Sequence, residues 1–182
     1  SRGLGDVYKR QCGTGLSDHE LAQGYETVTD PSVFIRFPIT SGELVDLQAS
    51  LLVWTTTPWT LVSNTAIAVH PEVDYVAARV THEEQSEVLV VAEALISSLT
   101  GEIEILKRFK GSTLERVQYK RPLDFVEIPD SHFVVLATYV TTEDGTGLVH
   151  QSPAFGADDL QVCRAYGLPV INPCLLYTSD AA

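Results

Sequence analysis

The sequence predicts a mainly β, barrel-like domain with short helices. Its apolar residues fall into short runs of strand length. Those runs are rich in Val, Ile, Thr and aromatic residues and are separated by Gly, Pro and polar clusters. Only two segments have helical composition and spacing.

In chain order, 32–38 (SVFIRFP) alternates apolar and charged residues, a half-buried strand closed by Pro38. The run 49–54 (ASLLVW) is β-compatible and stops at Thr55-Thr56-Thr57-Pro58. A further run, 65–69, ends at His70-Pro71, and 74–80 and 87–91 are again β-rich. Residues 92–99 (AEALISSL) predict a helix ending near Gly101. Strands are predicted over 102–109 and 133–140, the second leading to a Gly145-Thr146-Gly147 turn, after which 148–150 resumes a strand. Finally, 158–166 (DDLQVCRAY) predicts a helix with acids in its first turn and Gly167 past its end. No internal repeat or low-complexity segment interrupts this order.

A chain of 182 residues fits one domain with tethers. Residues 1–11 (SRGLGDVYKRQ) and 174–182 (CLLYTSDAA) resemble translations of a transposase sequencing adapter, its core in opposite orientations at the two ends. Both are expected to be non-native and are set aside from the fold. That leaves an N-terminal tether over 12–31, a domain over 32–166 and a C-terminal tether over 167–173.

Apolar residues make up 45% and charged residues 20%, an ordinary soluble globular composition, and a cytoplasmic location is expected. No apolar run reaches the roughly 18 residues needed to span a bilayer, so no membrane association is expected. The net charge of −12 argues against a general nucleic-acid-binding module, which gathers Lys and Arg against phosphates. Any contact with RNA should be small in area. Cys12, Cys163 and Cys174 show no CxxC pairing, and His19, His70, His82, His132 and His150 no metal-ligand spacing, so no metal site is expected. The few scattered cysteines suit a reducing compartment.

Two segments concentrate candidate chemistry. Trp54-Thr55-Thr56-Thr57-Pro58-Trp59-Thr60 places three hydroxyls just past a strand end, where they could line a pocket. Threonines also favour strands and their ends for structural reasons. The second segment, GTGLVHQSPAFGADD over 145–159, puts His150 at a strand end and Asp158 and Asp159 at a helix start. Taken singly, a lone His and acids in a first helical turn are more often structural. No GxSxG elbow surrounds Ser63 or Ser152, and Gly145-Thr146-Gly147 and Gly13-Thr14-Gly15 are too short for a phosphate loop.

Together, TTTPWT followed by Asn64 and Ala66-Ile67-Ala68, then GTGLVHQSPAFGADD, resemble the inserted editing domain of isoleucyl-tRNA synthetases. The resemblance extends over nearly all of 12–173, including CGTGLSDHELAQGY and CRAYGLPVINP. Valyl and leucyl relatives typically carry Arg in place of Thr57 and Lys or Met in place of His150, so this pair resembles the isoleucyl branch.

The resemblance implies a deacylase that hydrolyses the ester of valine mischarged to isoleucine tRNA. One methylene is worth only about 1–3 kcal/mol in a hydrophobic pocket, and the isoleucine–valine pair faced by the family it resembles is the standard illustration. A second site that admits only the smaller product supplies the missing fidelity. By the same resemblance, Asp159 binds the substrate ammonium, and His150 lies beside the aminoacyl group and helps exclude isoleucine. Thr55, Thr56 and Thr57 line the pocket and contact the terminal adenosine or position the water. Asp159, His150, Thr56 and Thr57 are the catalytic candidates. Trp54, Thr55, Thr60 and Asn64 join Asp159 and His150 in binding substrate. The general base stays open, a water held by the ribose hydroxyl and threonines being sufficient.

No cofactor is expected in this domain, whereas the parent enzyme would use ATP and Mg. The HIGH- and KMSKS-like signatures are absent, so this segment is not expected to aminoacylate alone. Expected partners are the aminoacylated 3′ end of isoleucine tRNA and the rest of the synthetase. The alternatives are a valyl or leucyl editing domain, a stand-alone editing hydrolase, and a tRNA-end-binding module without catalysis.

Overall fold

The computed structural model describes residues 32–83 and 85–173, and the backbone of 7–9 and 14–16. Contacts divide the chain into two units, 1–31 and 32–182. In the first, β1 (Val7–Lys9) and β2 (Thr14–Leu16) form an antiparallel pair. Apart from those strands, the adapter-like ends 1–11 and 174–182 and the N-terminal tether lie outside the described residues.

The second unit holds two sheets. The larger has the order β3 (Val33–Pro38), β4 (Ser50–Thr55), β7 (Gln85–Ala92), β6 (Asp74–His82), β8 (Glu102–Lys110). All its neighbours are antiparallel except the parallel pair β4–β7. The smaller sheet has β5 (Ala66–Val69) between β10 (Leu148–Gln151) and β9 (Phe133–Leu136), antiparallel to the first and parallel to the second.

Strand alternation sorts side chains among three cores. Leu51, Val53, Tyr75, Ala77, Ile67 and Val69 share the main core. From the same strands, Leu52, Val76 and Ala78 face outward and are covered by Ile96 and Leu99. Ala66 and Ala68 join Phe133, Val135, Cys163 and Leu168 in the third. With both faces covered, these strands read as continuous apolar runs rather than strict alternation. Edge strand β3, by contrast, alternates in burial as expected.

The barrel-like expectation needs correction: among the described residues no closed barrel forms. A segment over 116–120 spans the gap between β3 and β9 through the isolated bridges Ile39–Tyr119 and Gln118–Phe133. On the other side, the Ala92 amide at the end of β7 donates to the Thr146 carbonyl before β10 (2.8 Å). The 116–120 segment itself is bonded to both sheets: the Lys120 amide donates to the Pro38 carbonyl and the Thr40 amide to that of Gln118, while the Arg116 amide donates to the Val134 carbonyl and the Val134 amide to that of Val117.

Two predicted elements differ. The helix expected over 92–99 is a short 3-10 turn, Glu93–Ser98. Ala92 is already used as the last residue of β7, paired with Tyr75, and Gly101 at φ +103° turns the chain into β8. The strand expected over 133–140 stops at Leu136. Its partner β5 ends at Val69, just before His70-Pro71, and the Ala137 amide makes the last bond, to the Val69 carbonyl.

The second helix, α1 (Ala157–Ala165), matches its expected place. Asp158 and Asp159 occupy its first turn and Arg164 its last. Gly167, at φ +71°, donates to the Arg164 carbonyl, and Leu168 donates to that of Cys163. These two bonds form a Schellman stop, whose left-handed residue favours glycine.

Candidate functional site

β4 ends at Thr55 and the chain passes into a 3-10 turn, Pro58–Ser63, that sequence reasoning treated only as a strand stop. Pro58 suits the first position of that turn, where no amide is needed. The Thr57 amide donates to Thr55 Oγ1 (3.1 Å), and the two hydroxyls are 3.3 Å apart. Thr60 Oγ1 donates to the Thr57 carbonyl (2.8 Å). The threonine cluster thus fixes its own turn while leaving Thr57 exposed.

This turn forms one wall of an open cavity of about 460 Å³, within the usual range for small-molecule sites. Trp54, Thr55, Thr57 and Thr60 from this stretch line the cavity together with His150 from β10 and Asp159 from α1. Six of the eight residues expected at the site therefore meet in one cavity. Thr56 is exposed and does not line it. Asn64 is fully buried and sits behind His150 instead.

His150 is 7% exposed. Its Nε2 lies 2.7 Å from Thr60 Oγ1 and its Nδ1 3.3 Å from Asn64 Nδ2. Burial pushes its pKa down to about 4, so the imidazole is neutral at physiological pH. Asp159 is half-buried, and burial raises its carboxyl above the ordinary value against the opposing hydrogen bond from Ser152. The Ser152 amide donates to Asp159 Oδ2 (2.8 Å). Asp159 is the one charged side chain in the lining, a carboxylate short of solvent that an incoming cation would satisfy.

Sequence reasoning assigned no role to Trp59, Val149, Ser152, Phe155 or Gly156, which also line the cavity. Trp59 is 68% and Phe155 49% exposed, a signal legible only once the fold shows them at the mouth. Ser63 Oγ and Ser152 Oγ, 2.6 Å apart and buried, join the 3-10 turn to the segment after β10. A Cβ on Gly156 would sit 2.9 Å from Asp159 Cγ and 3.2 Å from each carboxylate oxygen. The carboxylate can swing aside, so Gly156→Ala should spare the fold, costing about 1 kcal/mol or less. It should displace the Asp159 carboxylate from the Ser152 amide, seen as shifted Ser152 amide and Asp159 carboxyl resonances with a nearly unchanged melting temperature.

Among the described residues, no group of three or more His, Cys, Asp or Glu is placed to hold a metal. No described helix is long and apolar enough to cross a membrane.

A family model described as the leucyl-tRNA synthetase editing domain matches residues 33–176. The isoleucine–tRNA ligase of Thermobifida fusca is 68% identical over 169 residues, covering 91% of this chain and 16% of that protein. That of Streptomyces coelicolor is 64% identical over 166 residues, covering 90% and 15%. The chain therefore spans about a sixth of the length of these curated relatives. Among solved structures, the editing domain of the Plasmodium falciparum cytosolic leucyl-tRNA synthetase superposes with a TM-score of 0.59 at 12% identity, covering 75% of this chain and 66% of that one. Its Plasmodium knowlesi counterpart gives 0.59 at 15% identity, covering 80% and 66%. At such identities the likeness concerns the fold alone. Family match, sequence identity and fold agree: the chain belongs to the aminoacyl-tRNA synthetase editing-domain family, on its isoleucyl-tRNA synthetase branch.

Proposed function

We propose that this domain hydrolyses the ester of valine mischarged to isoleucine tRNA, as the post-transfer editing site of a longer synthetase. The observation that supports this reading is the cavity itself, whose lining includes the Asp159 carboxylate together with Thr55, Thr57 and Thr60. The carboxylate takes the ammonium of the aminoacyl group. His150, neutral and buried, forms a rigid wall against the side chain. The hydroxyls supply contacts for the terminal adenosine and a place for water. Thr56, exposed beside them, is left for contact with the tRNA end rather than the amino acid. The acidic surface leaves the tRNA body to other domains.

On this reading the domain needs no metal or cofactor of its own. ATP and Mg belong to the parent's aminoacylation, which this segment does not perform alone, and the enzyme works in the cytoplasm. The adapter-like ends, the two tethers and the domain over 32–166 complete the proposed organisation.

The test compares deacylation of Val-tRNA(Ile) and Ile-tRNA(Ile) by the full-length synthetase carrying this domain. Valine should be released at least about tenfold faster than isoleucine, the discrimination expected for one methylene. Equal rates would remove the proofreading role, and no deacylation of either would favour a tRNA-end-binding module.

A further inference from the structure

A chain of buried hydrogen bonds runs into the cavity from the seam between the sheets. Tyr119, on the 116–120 segment, is 4% exposed and packs edge-on against Phe37 (ring centroids 5.3 Å apart). Its hydroxyl donates to Asn64 Oδ1 (2.6 Å). Asn64 Nδ2 donates to the Ala66 carbonyl (2.9 Å) and lies 3.3 Å from His150 Nδ1. His150 Nε2 meets Thr60 Oγ1 at 2.7 Å, and that hydroxyl donates to the Thr57 carbonyl at 2.8 Å.

The donor inventory fixes the protons along this chain. The Ala66 carbonyl can only accept, so the NH₂ end of Asn64 must face it, and Oδ1 must face Tyr119. The second Asn64 N–H then points to His150 Nδ1, which has to accept. The Thr60 hydroxyl proton is committed to the Thr57 carbonyl, so its oxygen accepts from His150 Nε2–H. One tautomer satisfies every group.

We propose that Asn64, its NH₂ end set by the Ala66 carbonyl and its Oδ1 anchored by Tyr119, is a positioning residue that holds His150 as the neutral Nε2–H tautomer, with its lone pair turned away from the cavity. His150 in this state is a donor and a wall, and cannot take a proton from a water in the cavity. The general base for hydrolysis must lie elsewhere. The inference rests on the proposed editing reaction only for its kinetic consequence; the tautomer is independent of it.

Two measurements test it. In ¹⁵N-resolved NMR of this chain near pH 7, His150 should show a protonated Nε2 and an unprotonated Nδ1. Tyr119→Phe removes one hydroxyl and keeps the ring packing but leaves the buried Asn64 Oδ1 without that donor, so the amide should loosen from His150 and give a mixture of tautomers. Finding Nδ1–H in the unsubstituted chain, or no change in Tyr119→Phe, overturns the proposal, whatever the reaction proves to be. In the full-length synthetase, Tyr119→Phe should lower Val-tRNA(Ile) deacylation about three- to tenfold, the range for one lost hydrogen bond. Aminoacylation should be unchanged. A shifted tautomer with wild-type deacylation would overturn the positioning role. Absence of deacylation in the wild type would count against the editing reaction while leaving the tautomer result standing.

Discussion

Asp159→Ala in the full-length synthetase should abolish deacylation of Val-tRNA(Ile) while leaving fold and aminoacylation intact. An ionic hydrogen bond to an ammonium is worth about 1.5–3 kcal/mol, or roughly ten- to a hundredfold. Loss of orientation adds to that, because the ester must sit against its water in a reactive geometry. The structural cost is small. Asp159 is half-buried at the start of α1, and the Ser152 amide it leaves behind lies beside an open cavity where water can bond it. Asp159→Asn separates charge from shape: the amide can still accept from Ser152 but carries no charge, and it should lose as much activity as the alanine variant. Deacylation at the wild-type rate by either variant overturns the assignment.

The second large effect is on stability. Gly147 stands at φ +74°, and a Cβ there would come within 2.5 Å of the Ala92 Cβ. Its carbonyl accepts from the buried Tyr75 hydroxyl (2.7 Å), while the preceding Thr146 carbonyl accepts from the Ala92 amide. The loop cannot retreat without losing both bonds. Gly147→Ala should combine a left-handed cost of about 1–2 kcal/mol with overpacking of about 1–3 kcal/mol. The sum is about 2–5 kcal/mol, lowering the melting temperature by about 4–20 °C in a chain of this size. Gly167→Ala is the control: φ is similar, +71°, but nothing lies within 4 Å of the added methyl. It should show only the conformational part. Equal losses at the two positions would refute the crowding at Ala92.

What was legible in the sequence follows from how local each cause is. The strand starts, α1 and its glycine stop depend on neighbours in the chain, and they lie close to where pattern and capping put them. Thr55, Thr57, Thr60, His150 and Asp159 stand out in the sequence through the family resemblance of the two short segments that carry them, since each alone reads as structural, and the fold brings those segments to one cavity. The end of β9 was not legible, because it is set by where its partner meets Pro71. Residues 92–99 looked helical because composition cannot show that Ala92 is already paired in a strand. Tyr119 carries no motif. Its contact with Asn64 depends on the 116–120 segment crossing between the sheets, a pairing that no local pattern encodes.

That crossing bears on how the cavity behaves over time. The turn carrying Thr57 and Thr60 continues from the larger sheet, whereas His150 belongs to the smaller one. Between the sheets, the 116–120 segment makes two backbone bonds on the β3 side and three on the β9 side, and the main core packs against both. Moving the turn against β10 means opening such bonds together with the Thr60–His150 and Ser63–Ser152 contacts, so the lining shifts as one cooperative unit rather than side chain by side chain. On the proposed function, a pocket that must refuse one extra methylene gains from such stiffness. Its selectivity then rests on mechanics as well as on shape, and the buried hydroxyl of Tyr119 is one of the braces.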